Sequence, residues 1–220
     1  MNDRIFVQYG CGLSAPDGWV NYDASPTLRI KRMPVVGNAV AKLAGADVPF
    51  PASVRYGDIV AGLPHAPGSV AGLYASHVLE HLARDDMRAA LANSFRILAP
   101  GGIFRLIVPD LKWRADNYVA RAANDDPEAS LAFMHDTLLG LQQRARGLKG
   151  KVRALFGNAD HLWMWDYAGM KGELERAGFT QVRRAALGDS REPMFDRVED
   201  EGRFFDNGRA EVAIEARKPA

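Results

Sequence analysis

Six residues whose chemistry suits ligand binding stand just after apolar stretches: Gly10, Gly12, Asp23, Asp58, Ser76 and His77. Glycines let a ligand approach the backbone closely, and a carboxylate accepts hydrogen bonds from a ribose diol or an amino group. Together they describe a nucleoside site, and spacing narrows the nucleoside. A dinucleotide fingerprint wants Gly-x-Gly-x-x-Gly opening a helix, with an acid about 20 residues further on, because the pyrophosphate sits on that helix N-terminus. Here Asp23 follows Gly12 by eleven residues, Ala15-Pro16 stands where the third glycine belongs, and only residues 10–18 separate the first two apolar runs. A full crossover helix does not fit that space. A pyrophosphate loses its main partner there, whereas a nucleoside with an amino-acid tail and no phosphate, such as S-adenosylmethionine, does not need it.

These residues must be carried by strands. Apolar runs bounded by turn residues alternate with helix-period segments, the pattern of a mostly parallel α/β sheet with helices on both faces. Strands are expected at Arg4–Tyr9, Trp19–Tyr22, Ser53–Tyr56, Val70–Tyr74, Ile103–Val108, Thr180–Ala185 and Glu211–Ala216. Asp85 is the expected N-cap of a helix running through Met87, Leu91, Phe95 and Leu98 until Pro100-Gly101-Gly102 stops it. A short helix is expected over Ala39–Ala44 and another near Tyr167–Ala177. Between them, Leu111–Trp165 has helical period but is too long for a simple crossover, with breaks expected at Asn124–Pro127 and Gly147–Gly150. One domain spanning residues 1–220, with residues 111–165 as a helical insertion on the substrate side, accommodates all of this.

The motifs Tyr9-Gly-Cys-Gly12, Gly18-Trp-Val-Asn-Tyr-Asp23, Tyr56-Gly-Asp-Ile59, Ser76-His-Val-Leu-Glu-His81 and Leu98-Ala-Pro-Gly-Gly-Ile-Phe-Arg-Leu-Ile-Val-Pro-Asp110 occur in order across residues 4–110. In this the chain resembles the class I S-adenosylmethionine-dependent methyltransferases, in the branch called methyltransferase type 11. The resemblance implies a Rossmann-like seven-stranded sheet in the order 3-2-1-4-5-7-6 with the last strand antiparallel. It also implies that Gly10 and Gly12 lie against the methionine moiety, that Asp23 holds the ribose hydroxyls, and that Asp58 holds the adenine amino group beside Ile59. Ser76 and His77 would line the pocket near the sulfonium. The chain departs from the pattern at Gln8, where an acid is common, at Ser14 in place of a glycine, and in the abbreviated first helix.

On that placement the 111–165 excursion and the Gly188–Arg209 loop overhang the methyl group, which makes His81, His161, Trp165, Ser190 and Arg191 candidates on the acceptor side. Methyl transfer from a sulfonium needs mainly in-line alignment. An oxygen or nitrogen acceptor must also lose a proton, and His77, His81 and His161 are the candidate bases, with His77 favoured because it directly follows the fourth strand. Each residue has a plainer reading beside this one. The glycines could form a tight turn, Asp23 could cap the Ala-Ser-Pro turn, Glu80 and His81 could orient a helix start, and Trp163 and Trp165 could be packing.

Lys+Arg 28 against Asp+Glu 27 leaves +1, so no whole-chain field draws nucleic acid or an anionic membrane. The run Arg144, Arg146, Lys149, Lys151 and Arg153 reads as a solvated face, with an anionic acceptor or a lipid headgroup as the sharper alternative. The uncharged run Ile59–Leu79 is as long as a bilayer span of about 20 residues but contains Pro64, Pro67 and three glycines, so no transmembrane segment is expected. The lone Cys11 makes no internal disulfide, and the first residues lack a secretory h-region, which points to the cytoplasm. No His or Cys cluster has metal-ligand spacing, and neither Gly-x-Ser-x-Gly nor a phosphate loop occurs, so zinc, esterase and nucleotide-hydrolase chemistry are not expected. The expectation is a methyltransferase using S-adenosylmethionine on a small-molecule or glycan acceptor. A binding module that has lost turnover is the alternative, and a nicotinamide-dependent enzyme a weaker third.

Overall fold

A computed structural model describes residues 4–31, 49–140 and 160–220. The short helix expected at Ala39–Ala44 and the basic run 144–153 lie outside the described residues. Strands β1 (Ile5–Tyr9) and β2 (Val20–Asp23) are followed by helix α1 (Pro26–Lys31), β3 (Arg55–Tyr56) and β4 (Val70–Ser76). A 3-10 turn, Leu79–His81, then leads into α2 (Arg84–Ile97) and β5 (Leu98–Val108). Two helices follow, α3 (Leu111–Ala122) and α4 (Ala129–Thr137), and later α5 (Tyr167–Arg176) and β6 (Thr180–Arg184). The chain closes with α6 (Glu201–Phe204), a hairpin of β7 (Phe205–Asp206) and β8 (Arg209–Ala210), and β9 (Val212–Arg217).

Seven strands form one sheet in the order β3-β2-β1-β4-β5-β9-β6. All neighbours are parallel except β9, which runs antiparallel to both β5 and β6. With β9 as the sheet's seventh strand, this is the order 3-2-1-4-5-7-6 that the sequence implied. The central strands β1, β4 and β5 are apolar at nearly every position because both of their faces are covered. Val7, Tyr9, Leu73, Leu106 and Val108 pack on one side with Met87 and Leu91 of α2 and Met170 and Leu174 of α5. Phe6, Tyr74, Ile103 and Ile107 face the other side, where Trp19, Phe195, Val198 and Phe204 cover them.

Two local expectations fail. Asp85 is not the N-cap of α2. Ala83 holds that place without a side-chain bond, because the 3-10 turn delivers the chain straight into Arg84, and Asp85 and Asp86 instead lie in the first turn, where their charge favours the helix dipole. β5 also begins earlier than Ile103. Leu98 pairs with Val70, the register then shifts, and Ile103 pairs with Gly72, so Pro100-Gly101-Gly102 forms an irregularity within the strand. The break expected at Asn124–Pro127 does separate α3 from α4. Asp125 takes φ +53 there, and Asp126 accepts the Glu128 N–H.

A wholly buried arginine fixes the path of the C-terminal segment. Arg105, in the middle of β5, donates to Glu199 Oε1 at 2.6 Å, Glu215 Oε2 at 2.8 Å, Asp189 Oδ1 at 2.9 Å and the Ala186 carbonyl at 3.1 Å. The chain through residues 186–199 is thereby drawn across the back of the sheet, and Phe195 fills the apolar space against Phe6 and Trp19.

Candidate active site

The carboxyl ends of β1 to β4 bring the first group of expected residues together. β1 and β2 are parallel neighbours, yet no helix joins them. The connection is a turn in which the Cys11 N–H donates to the Tyr22 carbonyl and the Ser14 N–H to the Cys11 carbonyl. Gly10 and Gly12 both take positive φ, +63° and +55°, but for different reasons. A Cβ on Gly10 would overlap Val78 Cγ2 and lie 3.1 Å from Cγ1, so Gly10 is required by packing. Among the described residues, a Cβ on Gly12 would meet nothing within 4 Å, so that side of the turn is open to them.

Asp23 ends β2 almost wholly buried. Its Oδ2 accepts the Gly12 N–H at 3.0 Å and its Oδ1 the Ser25 N–H at 2.8 Å. The carboxylate therefore organises the turn, and each oxygen keeps a lone pair for a further donor. Asp58 follows β3, half-buried, and accepts the Val60 N–H at 2.8 Å. The Ile59 side chain is buried in the main core, while the Ile59 and Val60 carbonyls accept from Asn93 Nδ2. Cys11 packs with Leu28 and Val54, and burial first, then the nearby Asp23 charge, pushes its thiol up to about 12, so it is a packing residue.

Among the described residues, four buried side-chain oxygens on β1, β2 and β4 have no hydrogen-bond partner, Gln8 Oε1, Asn21 Oδ1, Tyr74 Oη and Ser76 Oγ, and of these Gln8 and Ser76 stand nearest the carboxyl ends of their strands. Buried polar atoms are nearly always paired, so an exception calls for a missing donor. Two unpaired oxygens, an open glycine face and two carboxylates with spare lone pairs fit a nucleoside with a cationic amino-acid tail. Gln8, which replaces the usual acid, can still accept a hydrogen bond from an ammonium.

The second group lines a cleft of about 430 Å³ beyond β4, β5 and β9, walled by His77, Glu80, His81, Arg114, His161 and Glu211. His77 takes φ +55, a strained conformation for a non-glycine residue. Its Nε2 donates to the Arg203 carbonyl at 3.0 Å, and its Nδ1 lies 3.4 Å from Glu80 Oε1. Burial opposes the His77 imidazolium, but Glu80, the Arg203 carbonyl and Glu211 outweigh it and raise its pKa above the ordinary histidine value. With both nitrogens engaged, His77 serves Glu80 as a counter-charge and is poorly placed as the free base expected from its position. His161, reached through the long excursion, does arrive beside His81, with ring centroids 5.0 Å apart. Burial is the main cause that lowers its pKa, which keeps it neutral.

Trp165, Ser190 and Arg191 do not join the site. Trp165 is buried in the main core, bridged to Asp110 at the end of β5. The segment carrying Ser190 and Arg191 is drawn by Arg105 toward the opposite end of the sheet, where Glu192 pairs with Arg4 at the start of β1 at 2.6 Å. Only the later part of that loop reaches the cleft, through Gly202 and residues 205–207. The cleft residues absent from the sequence reading include Arg114 and Glu211, a buried bidentate pair at 3.0 and 2.9 Å in which Glu211 Oε2 also accepts the Asp110 N–H at 2.7 Å. They stand 97 residues apart, and no local pattern joins them. Glu80 was read only as orienting a turn.

Among known proteins, residues 8–106 match the family model described as a methyltransferase domain. No curated protein matches the sequence. A solved S-adenosylmethionine-dependent methyltransferase from Archaeoglobus fulgidus is 14% identical, with 98% of this chain and 86% of that one covered and a TM-score of 0.50, which places both in one fold. A complex of the Haloferax volcanii Trm112 methyltransferase activator with a methyltransferase is 17% identical, covering 99% and 84% at a TM-score of 0.48. The CurJ carbon methyltransferase is 15% identical at 0.48, and this chain spans 50% of its length. Among the described residues, no helix is long and apolar enough to cross a membrane.

Proposed function

We propose that this chain is a class I, Rossmann-like methyltransferase of the type 11 branch, that it binds S-adenosylmethionine at the Gly12 turn and that it methylates a small hydroxylated molecule or sugar held in the adjoining cleft. The observation that carries the reading is the helix-free β1–β2 turn, with Gly12 open on one side and the unpaired Gln8 Oε1 buried nearby. A pyrophosphate would find no helix N-terminus there.

When bound, the cofactor supplies a methyl carbon already activated on a sulfonium. The protein's own part is positioning. Gly12 gives room for close approach, and Gln8 Oε1 accepts from the ammonium. Asp23 uses its spare lone pairs for the ribose hydroxyls, and Asp58 accepts from the adenine amino group. Arg114, Glu211 and the histidines give the cleft donors and acceptors suited to a polyhydroxylated acceptor, with α3 and α4 as its substrate-side wall. In-line alignment of this kind contributes on the order of 7–11 kcal/mol.

Calorimetry with S-adenosylmethionine and NAD, followed by an assay of S-adenosylhomocysteine release across sugars, phenols, amines and carboxylates, tests the proposal. Expected are binding of the first ligand alone and release with a hydroxylated acceptor. NAD binding without S-adenosylmethionine binding would overturn it. Firm cofactor binding with no release would favour a binding module, a reading motivated by the engagement of both His77 nitrogens.

A further inference from the structure

Glu80, His81 and His161 each offer one ligating atom, and the three atoms lie within 4.8 Å of one another. The sequence hides this because residues 80 and 81 are adjacent and 161 is far away, so no metal-binding spacing appears. The fold joins them through the backbone. The Leu162 and Trp163 N–H groups both donate to the Glu80 carbonyl, at 2.8 and 3.1 Å, which staples the segment bearing His161 onto the residue bearing the carboxylate.

The donor set is prepared as well as gathered. His161 Nδ1 lies 2.8 Å from the Thr137 carbonyl and His81 Nδ1 lies 3.1 Å from the Asp160 carbonyl. A carbonyl only accepts, so each neutral ring keeps its proton on Nδ1 and leaves a lone pair on Nε2. This outer-shell bond to the second ring nitrogen is the one metal-binding histidines ordinarily make. The Glu80 carboxylate is wholly buried, and neither oxygen receives a hydrogen bond from the described residues. His77 Nδ1 at 3.4 Å and His81 Nε2 at 3.9 Å are the nitrogens nearest to it. The His77 imidazolium offsets part of the cost of burying this carboxylate but leaves its oxygens without hydrogen bonds, and a cation between Glu80 and the imidazoles of His81 and His161 would supply the rest.

We propose that Glu80, His81 and His161 bind one divalent first-row transition ion of the zinc class, with a fourth coordination position open to the cleft. Two imidazoles and one carboxylate form the donor set of open zinc sites, whereas magnesium and calcium require oxygen-rich shells. Tetrahedral ligands about 2.1 Å from an ion stand about 3.4 Å apart, so atoms within 4.8 Å of one another need to close by at most about 1.4 Å, within the reach of side-chain rotation. The site's part in catalysis, unlike the site itself, rests on the methyl-transfer reading. An acceptor hydroxyl in the open position is acidified and gives its proton to solvent. Its oxygen then bonds the methyl carbon while the carbon–sulfur bond breaks and leaves its electron pair on sulfur.

The full chain, stripped with chelator and held free of S-adenosylmethionine, is titrated with Zn²⁺, Co²⁺ and Mg²⁺. Expected are one equivalent of Zn²⁺, a visible Co²⁺ spectrum of four- or five-coordinate type, and no competing uptake of Mg²⁺. His161→Gln and Glu80→Gln should each weaken Zn²⁺ binding at least about 100-fold. His135→Gln, at an exposed position on α4, should not. Circular dichroism establishes which variants fold, and His161→Gln carries the test alone if Glu80→Gln does not. No stoichiometric Zn²⁺ uptake, a preference for Mg²⁺, or unchanged affinity in folded His161→Gln would overturn the site. The titration contains no cofactor, so its failure leaves the S-adenosylmethionine reading standing, and failed cofactor binding leaves this one standing.

Discussion

The two glycines of the β1–β2 turn should behave differently when replaced by alanine. Gly10→Ala forces an L-residue to φ +63 and drives its Cβ into Val78, whereas Gly12→Ala pays only for φ +55, because its Cβ meets no atom of the described residues within 4 Å. The left-handed conformation costs about 1–2 kcal/mol, and overpacking a buried contact adds about 1–3 kcal/mol. Gly10→Ala is thus expected to lose about 2–5 kcal/mol and Gly12→Ala about 1–2 kcal/mol. Urea unfolding at constant m measures both. Val78→Ala removes the obstructing methyls, so a double-mutant cycle of Gly10→Ala with Val78→Ala should return a favourable coupling of about 1–3 kcal/mol, while the cycle with Gly12→Ala returns none. Cofactor affinity should move the opposite way. Gly12→Ala, the milder change in stability, fills the open face and should lose S-adenosylmethionine binding while remaining folded. Equal destabilisation by the two substitutions, or zero coupling to Val78, would refute the division of the glycines into one that packs and one that makes room.

Arg105→Met leaves Glu199 buried with no cation and should cost about 3–5 kcal/mol in chemical denaturation. The loss should appear with faster amide exchange through residues 186–199, since Arg105 is what ties that segment to the sheet. Glu173 is held down at about 2, against an ordinary 4.5, chiefly by its hydrogen bonds from Arg88 and then those from Arg176. Its stabilising contribution is complete above pH 4.5 and disappears as pH falls through 2, so Glu173→Gln should flatten the acid limb of the stability profile in that interval. An unchanged limb would show the pairing to be inert. Cys11, with its thiol pushed up to about 12, should resist alkylation at pH 8 in the folded protein and react once urea is added. Fast labelling of the native protein would contradict its burial.

Most of the sheet was legible in the sequence because its central strands are buried on both faces and therefore read as unbroken apolar runs. β1, β2, β4 and β9 all fall within two residues of expectation. The edge strand β3 is only two residues long and both are exposed, so little beyond the following Gly57-Asp58 marked it. Pro100-Gly101-Gly102 was read as a stop between helix and strand, yet it lies inside β5 because neighbouring strands tolerate a register shift there. Asp85 has the residue type of a cap, but the preceding 3-10 turn had already set the direction of the chain. Local propensity gave way to tertiary geometry in both cases.

The site divides along the same line. The glycines, Asp23 and Asp58 belong to strand ends, and strand ends are set by local pattern, so their convergence followed once the strand order was known. The cleft depends instead on charge pairings between distant segments. Arg114 meets Glu211 across 97 residues and Arg105 meets Glu215 across 110, and no period or motif encodes either pairing. The Arg105 network explains why Ser190 and Arg191 were misplaced. A polar loop after β6 would ordinarily fold over the carboxyl ends, but a buried cation in mid-sheet needs acidic partners, and Asp189 and Glu199 supply them only by crossing the back face. The same requirement then returns residues 202–207 to the cleft from below, beside His77. The shape of the cleft therefore depends on an ion cluster outside it. Substitutions at Glu199 should alter acceptor binding and leave the Gly12 turn intact, a separation that S-adenosylmethionine calorimetry and methyl-transfer kinetics on one variant would reveal.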